Sequence, residues 1–529
     1  MENKKIQIWL PVLFSITMVL GMLIGYQIKE RTAGNSFFSL SRKTSLQEVV
    51  DLIKGKYVDK VASDSINQLA VNELLTHLDP HSVLIPEKDL KETNEQLMGN
   101  FQGIGVEFQI FNDTVNVMSV IKDGPSEKVG IQVGDKFIRV SDTILLAGKK
   151  IQSDKIRQLL RGIVGTKVKI SLLRDGKMID KIIERGVIPV PSIDVAYMIT
   201  PTIGFLRINR FADRTFEEFM RSMEQLQKSG MKQLILDLRG NGGGLMKEAT
   251  AIADEFLSDD KLIVYTEGDH IPRFDFRCKK EGCFETGKLV VLVDETSASA
   301  SEVLSGALQD WDRATIIGRR TFGKGLVQQQ FQLSDGSAVR LTVARYFSPL
   351  GRNIQKPYGK NKLEYDEELL TRYQHGSMQK ADTVIPKGKA YKTPAGHIVY
   401  GGGGITPDVF VPIDTTQISN ALMKLYYRNT LNNFVYQYYL QNRAQFNTIK
   451  TASNLLKGFT PGNKELDALR SFAAMHDSLK LDNFSAVEAS QIQQRLQILM
   501  ARQIWRVEGY FEVSNQFDLA VKKAISVVQ

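Results

Sequence analysis

The sequence is poor in the residues that hold metals and disulfides. Its 529 residues include two cysteines and six histidines, and neither a CxxC pair nor an HExxH motif occurs. Two cysteines alone make a poor zinc site, so we expect neither a metal nor another cofactor. The pair, Cys278 and Cys283, lies in RCKKEGC. It is compatible either with a small disulfide loop or with two free thiols.

Long runs of basic residues are also missing. The net charge is +9, yet no stretch of five or more consecutive lysines and arginines occurs. Scattered basic residues more often reflect a solvated surface than a nucleic-acid interface, so we expect no nucleic-acid partner. The chain is 43% hydrophobic and 24% charged, which is typical of a globular protein, and its length predicts several domains.

Charge is absent from one segment near the N-terminus. Ile8 to Tyr26 carry no charged residue over 19 positions, which at ~1.5 Å per residue just spans a ~30 Å hydrocarbon core. Lys4 and Lys5 precede the run, and no clear small-residue cleavage site closes it. The run therefore predicts an uncleaved signal anchor over residues 1–30. The remaining chain would then be attached to a membrane and lie outside the cytoplasm.

The spacing of apolar residues divides the rest of the chain into four regions. Residues 31–97 show helical spacing, and residues 98–186 read as short strands with one clear helix. Residues 187–412 alternate strands with helices, which is typical of an α/β core around a buried sheet; within them, 356–404 resemble an inserted loop. Residues 413–529 are helical and rich in aromatics, as in a core or subunit interface. We predict a multidomain α/β protein.

Three familiar site motifs do not occur: G-x-G-x-x-G in register, GK[ST], and the G-x-S-x-G elbow. Instead, RGNGGG (Arg239–Gly244) and SASASE (297–302) each follow an apolar strand and precede a helix. In α/β sheets such turns collect at the carboxyl edge, where sites form. The glycine-rich turn suits an oxyanion hole or a structural role better than a dinucleotide.

The serine-rich turn has two interpretations. Ser299 and Glu302 fit the S-x-x-E capping box at the start of a helix, which on this stretch alone is the stronger interpretation. Ser299 also suits a nucleophile, because free N–H groups at a helix start, Ala300 among them, stabilise an oxyanion. A serine nucleophile needs a base.

The best candidate base is a lysine. None of the six histidines follows a core strand, whereas Lys324 lies between two glycines in TFGKG. A lysine serves as a base only if burial lowers its pKa from ~10.4. Gln328 is four residues further on, and a straight strand would separate the two Cα atoms by ~13 Å. Their direct contact therefore requires a bend at Gly325.

Together, SASASE, ALQDWDRATIIG and TFGKGLVQ resemble the signature of the carboxyl-terminal processing peptidases, also called tail-specific proteases. Further motifs occur in the family's order over residues 45–412: LDPHS, FQGIGVEF, GPSEKVGIQVGD, LILDLRGNGGG, YFSPLGR and GGITPDV. The resemblance implies a peptidase core with Ser299 as nucleophile, Lys324 as general base and Gln328 as the residue that orients it. Ser301 is the main rival nucleophile. The oxyanion hole would be the backbone N–H groups of Ala300 and Gly243.

The β-rich region resembles a PDZ domain, with GIGV as the carboxylate-binding loop (Gly103, Ile104, Gly105 and Val106). PDZ domains bind a peptide C-terminus as an added strand. The resemblance implies a serine endopeptidase that cleaves unfolded or tail-marked proteins outside the cytoplasm, and homodimerisation through the terminal helical regions. Two other hypotheses remain: an inactive PDZ adaptor, and a hydrolase of small esters or cell-wall peptides.

Overall fold

The computed structural model describes most of the chain, namely residues 9, 11–12, 14–23, 44–111, 113–359, 362–374, 376, 378–379, 388–413 and 419–529. These residues form two compact units, 1–74 and 75–529. The predicted anchor, Ile8–Tyr26, lies partly outside the described residues, and its described stretch 14–23 is helical. Across the described ranges, no helix combines the length and apolarity that crossing a bilayer demands.

The helical spacing predicted before residue 98 is confirmed where the chain is described. Two helices come first, α1 (Ser45–Lys56) and α2 (Ser63–Thr76). A capping box between Thr44 and Gln47 begins α1, which has no buried residue. In the second unit, a short strand β1 (Val83–Ile85) and helix α3 (Glu87–Met98) follow.

The β-rich region is an antiparallel sheet with two helices. Its elements are β2 (Asn100–Gly103), β3 (Val106–Phe111), β4 (Thr114–Val120), α4 (Pro125–Lys128), β5 (Lys136–Val140), β6 (Ile144–Leu145), α5 (Ser153–Leu160), β7 (Lys167–Arg174), β8 (Lys177–Glu184) and β9 (Gly186–Pro189). The sheet order is β3-β4-β5-β7-β8, so β3 lies at an edge. Strands β2 and β9 pair with each other where the chain enters and leaves this region. The predicted hairpins and helix are confirmed.

The core contains the expected βα units and a second sheet. Its elements are β10 (Ile193–Met198), β11 (Ile203–Ile208), α6 (Thr215–Lys228), β12 (Gln233–Asp237), α7 (Met246–Asp254), β13 (Leu262–Gly268), β14 (Ile271–Arg277), β15 (Leu289–Val293), α8 (Ala300–Asp310), β16 (Thr315–Gly318), β17 (Leu326–Gln332), β18 (Ala338–Phe347), α9 (Lys362–Gln374), β19 (Ala390–Lys392), β20 (Ile398–Tyr400) and β21 (Val409–Phe410). The main sheet has the order β10-β11-β12-β15-β16-β21 and is parallel except for β10. The second sheet joins β1, β18, β13 and β14, with β17 paired to β18.

The C-terminal region is helical, as predicted, and packs into the second unit. Its helices are α10 (Asn420–Tyr427), α11 (Thr430–Gln441), α12 (Arg443–Phe446), α13 (Ala452–Gly458), α14 (Asn463–Asp477), α15 (Ala486–Ser514) and α16 (Leu519–Val528). Val521 and Ala524 of α16 are buried with Ile235 and Leu292 of the main sheet. This last helix therefore covers one face of the sheet that carries the site.

Candidate functional site

The turn between β15 and α8 holds Ser299 in an unusual backbone conformation. All five residues of β15 are buried at the centre of the main sheet, and Ser299 precedes the first residue of α8 with φ 55° and ψ −115°. A positive φ in a residue other than glycine costs about 1–3 kcal/mol and is concentrated at functional sites. The turn places Ser299 at the carboxyl edge of the sheet, half-buried beside a helix N-terminus.

The other two serines of SASASE have structural roles. Ser297 donates its hydroxyl hydrogen to the Leu238 carbonyl at 2.8 Å, and Ser301 donates to the Asn241 carbonyl at 2.9 Å. Both serines are fully buried. Ser301 therefore holds the glycine-rich turn against α8, and of the three serines Ser299 is the one a substrate can approach.

Glu302 connects the turn of Ser299 to the loop of Lys324. Of the capping box predicted from the sequence, the bond from the Ser299 N–H to the Glu302 side chain is present, whereas the Glu302 N–H donates to the Ser299 carbonyl and not to its hydroxyl. The buried carboxylate of Glu302 also does more than cap. It accepts four hydrogen bonds, from the N–H groups of Ser299 at 2.9 Å, Gly323 at 2.7 Å and Lys324 at 2.8 Å, and from the Thr321 hydroxyl. Burial raises the pKa of Glu302 to about 7, while these donors oppose the rise.

The side chains of Lys324 and Gln328 are in contact, as the sequence analysis required for a working base. Lys324 Nζ donates to Gln328 Oε1 at 3.0 Å. Lys324 and Gly325 precede β17, which begins at Leu326. The pairing of β17 with β18 shifts register between Val327 and Gln328, where Val343 of β18 is the extra residue.

The surroundings of Lys324 favour the neutral amine. Burial lowers the pKa of Lys324, and the positive charge of Arg340 lowers it further, while Asp79 and Glu302 oppose the shift. A buried ammonium loses its hydration, so deprotonation becomes easier. Such a lysine can accept a proton at a pH where an exposed lysine cannot.

Two segments that the sequence analysis left without a chemical role support Gln328. Its amide Nε2 donates to the carbonyl of His81 at 2.6 Å, so the LDPHS turn fixes the orientation of the glutamine. His81 Nε2 lies 2.8 Å from the hydroxyl of Tyr365, which belongs to helix α9 of the predicted insertion. His81 is thus a turn and packing residue. The described part of the insertion reaches the site; the remaining residues, 360–361, 375, 377 and 380–387, lie outside the described ranges.

Tyr346, from the YFSPLGR stretch, also joins the two loops. Its hydroxyl lies within hydrogen-bond distance of the carbonyls of Ser299, at 3.1 Å, and of Lys324. Burial raises the pKa of Tyr346 well above its ordinary value, so the hydroxyl keeps the hydrogen it donates. The sequence analysis missed the site roles of Glu302, Tyr346 and Tyr365; for Glu302 the capping box was the available signal.

The two predicted oxyanion donors lie side by side but differ in their hydrogen bonds. Ala300 is the first helical residue, so its N–H has no intrahelical acceptor. The N–H of Gly243 donates to Asn241 Oδ1 at 2.8 Å. Gly243 has φ 98°, and a Cβ added to it would lie 2.8 Å from the Ser299 Cβ and 2.9 Å from the Ala300 nitrogen. Only glycine allows this close approach.

Ser299 and Lys324 are brought together by their loops but do not bond directly. In the part of the chain that is described, no hydrogen bond links the Ser299 hydroxyl to Lys324 Nζ, whose acceptor is Gln328. Catalytic hydrogen bonds are often long without substrate and tighten when it binds. The arrangement can activate a serine once the Ser299 hydroxyl and Lys324 Nζ come within hydrogen-bond distance.

The predicted peptide-binding loop lies far along the chain from this site, at the edge of the β-rich sheet. Gly103 ends β2, Ile104 and Gly105 form a buried turn, and Val106 begins β3. Gly105 has φ 75°, and its carbonyl accepts from the Ile121 N–H at 3.0 Å. A cavity of about 640 Å³ opens beside the loop, β3 and α5.

The two cysteines are free thiols. Cys278 is buried and Cys283 is half-buried, and no disulfide joins them. Burial raises the pKa of each thiol to about 12, so both are protonated and unreactive. Within the described residues, no group of three or more His, Cys, Asp or Glu side chains is arranged to hold a metal ion.

Comparisons with known proteins identify two of these regions. Residues 202–368 match Peptidase family S41, residues 102–183 match the PDZ domain, and residues 421–506 match a family of unknown function. A probable CtpA-like serine protease of Staphylococcus epidermidis is 31% identical over 399 residues, covering 74% of this chain and 78% of that one. The carboxy-terminal processing protease CtpA of Bacillus subtilis is 34% identical over 333 residues, covering 62% and 69%.

Among solved structures, the photosystem II D1 C-terminal processing protease is 26% identical to this chain. The match covers 70% of this chain and 86% of that one, with a TM-score of 0.36.

The raised pKa of Glu302 predicts a pH-dependent stability. Its ordinary pKa is 4.5 and burial raises it to about 7, so the native state binds this proton more tightly than the unfolded chain. The stability that the proton provides is present below pH 4.5 and is lost as the pH rises to 7. We expect the melting temperature of the wild type, relative to Glu302→Gln, to fall by roughly 5 °C over this range.

Differential scanning calorimetry of both proteins at several pH values checks this expectation. The exposed Glu267→Gln serves as the matched control and should follow the wild type. A constant difference between wild type and Glu302→Gln from pH 4.5 to 7 would show that Glu302 keeps an ordinary pKa.

Proposed function

The chain belongs to the carboxy-terminal processing serine proteases, and we propose that it cleaves unfolded or tail-marked proteins with a Ser299–Lys324 dyad. Its membership in Peptidase family S41, and its PDZ domain, make it a serine peptidase with a module that binds C-terminal peptides. One observation carries the assignment of the dyad. The buried Glu302 carboxylate binds the backbone of both residues and so holds the reactive turn beside the base loop.

The chemistry follows from the groups in the site. Neutral Lys324 takes the proton from the Ser299 hydroxyl as the oxygen attacks the scissile carbonyl. The Ala300 N–H donates to the resulting oxyanion and stabilises it. The Gly243 N–H also donates to the oxyanion once its hydrogen bond to Asn241 Oδ1 breaks. Lys324 then gives its proton to the leaving amine. Water then enters, loses a proton to Lys324 and attacks the acyl carbonyl. Lys324 returns that proton to the Ser299 oxygen as the new carboxyl product leaves, so the hydroxyl and the neutral amine are restored.

Gln328 keeps the base aligned during this cycle. Its carbonyl oxygen accepts from Lys324 Nζ, and its amide is fixed on the carbonyl of His81. A lysine side chain has four rotatable bonds, so a fixed acceptor reduces the number of conformations in which Nζ misses the serine. Gln328 thereby positions the lysine.

We expect Ser299→Ala and Lys324→Ala each to reduce cleavage of an unfolded protein by about 10³-fold or more, because each removes one member of a unit that acts together. Ser301→Ala is the matched control and should lose about tenfold at most, since it removes one buried hydrogen bond. Turnover of a fluorescently labelled disordered substrate, with its C-terminus free or amidated, measures the effect.

The same assay separates the alternatives. Undiminished cleavage by Ser299→Ala or Lys324→Ala would contradict the dyad. Binding of C-terminal peptides by wild type without any turnover would favour an inactive PDZ adaptor. Equal turnover of free and amidated tails would favour a hydrolase that does not read C-termini.

The lowered pKa of Lys324 predicts the acid limb of the pH–rate profile. Activity should appear as Lys324 loses its proton, at a pH below its ordinary value of 10.5. Arg340 contributes to the lowering, so Arg340→Met should raise the pKa of Lys324 and move the limb to higher pH. Measurement of kcat/KM from pH 5 to 10 checks this.

The exposed Arg345 lies on the same strand and is not among the charges that affect Lys324. Arg345→Met is therefore the control and should leave the limb in place. An unmoved limb in Arg340→Met would assign the acid limb to another group.

An extracytoplasmic location remains part of the proposal. Its support is the uncharged run Ile8–Tyr26, with lysines before it. We expect the full chain to sediment with membranes after cell fractionation, and a chain that lacks residues 1–43 to remain in the supernatant. Recovery of the full chain in the supernatant would contradict the anchor.

A further inference from the structure

The peptide-binding cavity of the PDZ domain is bounded in part by the C-terminal helical region. On one side lie the GIGV loop, β3 and α5. On the other lie residues of α11 and α15, including Val435, Leu499 and Arg502. The cavity volume of about 640 Å³ suits a few residues of an extended peptide. A bound tail would therefore touch two regions of this chain.

The edge of β3 is where a tail would add as a strand. Strand β3 pairs with β4 on one side only, and its residues point alternately to the two faces of the sheet. Val106, Phe108 and Ile110 pack against the core of the PDZ domain. The alternate residues Gln109 and Phe111 point to the opposite face.

That opposite face is covered by the C-terminal helices. Gln109 Nε2 donates to Asn433 Oδ1 of α11 at 2.5 Å. The ring of Phe111 stacks on Phe472 of α14, with centroids 5.9 Å apart. In a tail added to β3, side chains alternate in the same way. If the terminal residue faces the PDZ core, the penultimate residue faces the C-terminal helices.

The cavity is positively charged on both sides. Arg157 and Arg161 line the PDZ side and pair with Asp154 at 2.9 Å and Glu92 at 3.3 Å. Two further arginines line the helical side. Arg506 lies 3.9 Å from Glu107, the one acidic residue of the lining.

Arg502, in contrast, has no ion-pair or hydrogen-bond partner among the described residues. Its charge is available to a ligand. Because the other cations of the lining are already paired, Arg502 is the residue through which the helical side would attract an acidic group.

Helix α15 breaks where it meets the PDZ domain. Trp505 has φ −114° and ψ 16°, and Arg506 has φ 59° and ψ −141°. Arg506 also donates to the carbonyl of Val120 in β4. A positive φ at arginine is costly and persists only where the surroundings enforce it. The break places Arg506 beside the groove, one turn after Arg502.

We propose that the C-terminal helices form part of the tail-binding site, where Arg502 selects tails with an acidic penultimate residue. The proposal rests on the tail recognition proposed above. The terminal residue is apolar and faces the PDZ core, and the acidic side chain next to it faces Arg502. Charge complementarity at a partly solvated site supplies specificity more than affinity.

Fluorescence anisotropy with the full chain tests the proposal, in a Ser299→Ala background that prevents cleavage. The probes are labelled heptapeptides that end in Asp-Ala, Asn-Ala or Arg-Ala, each with a free or amidated C-terminus. We expect Asp-Ala to bind about fivefold more tightly than Asn-Ala, and this preference to weaken as NaCl rises.

Variants of Arg502 assign the preference. Arg502→Ala should abolish it, Arg502→Lys should retain most of it, and Arg502→Glu should reverse it in favour of Arg-Ala. Lys522→Ala removes an exposed cation of α16 that does not line the cavity, and it should bind all peptides as the parent does.

The outcomes distinguish this inference from the proposed function. Equal binding of Asp-Ala and Asn-Ala, with amidation still weakening both, would overturn the role of Arg502 and leave tail recognition standing. An Asp preference that survives in Arg502→Ala would overturn the assignment to this residue. Binding that ignores amidation would overturn tail recognition itself and, with it, this inference.

Discussion

The site depends on the hydrogen bonds that the buried carboxylate of Glu302 accepts. It accepts hydrogen bonds from the backbone of Ser299 and of Lys324, two residues on different loops. Backbone N–H groups that lose their acceptor in the interior cost about 1–3 kcal/mol each, so the two loops have a strong reason to keep their relative position. The sharp turn at Ser299, with its positive φ, is held by the same bonds. One side chain thus holds the turn of the proposed nucleophile and the loop of the proposed base.

A second set of contacts fixes the side chain of the base. Gln328 accepts a hydrogen bond from Lys324 Nζ and donates one to the carbonyl of His81, whose ring contacts Tyr365. The residues that support Lys324 in this way come from three distant parts of the sequence: the LDPHS turn, the strand β17 and the insertion. The insertion predicted within residues 356–404 therefore contributes to the site through α9.

The C-terminal helices connect the two functional regions of the second unit. Arg239, at the start of the glycine-rich turn, donates to Asp518, the N-cap of α16, at 2.8 Å, while α15 reaches the PDZ domain through Arg506. The same region therefore contacts the glycine-rich turn at one end and the cavity of the PDZ domain at the other. Most of its aromatic residues form an internal core, whereas Tyr427 is exposed.

By itself, the sequence determined the features that depend on neighbouring residues. The alternation of apolar residues predicted the strands and helices, S-x-x-E predicted the cap at Ser299, and the glycines around Lys324 marked the base loop. These signals are local because backbone hydrogen bonds and side-chain periodicity act over a few residues.

Only the tertiary structure separated Ser299 from Ser301, since their difference lies in burial against the glycine-rich turn. It also decided the contact of Gln328 with Lys324, the second role of Glu302 and the helical side of the PDZ groove. Each of these arises where segments far apart in the chain pack together, and such contacts leave no periodic pattern in either segment.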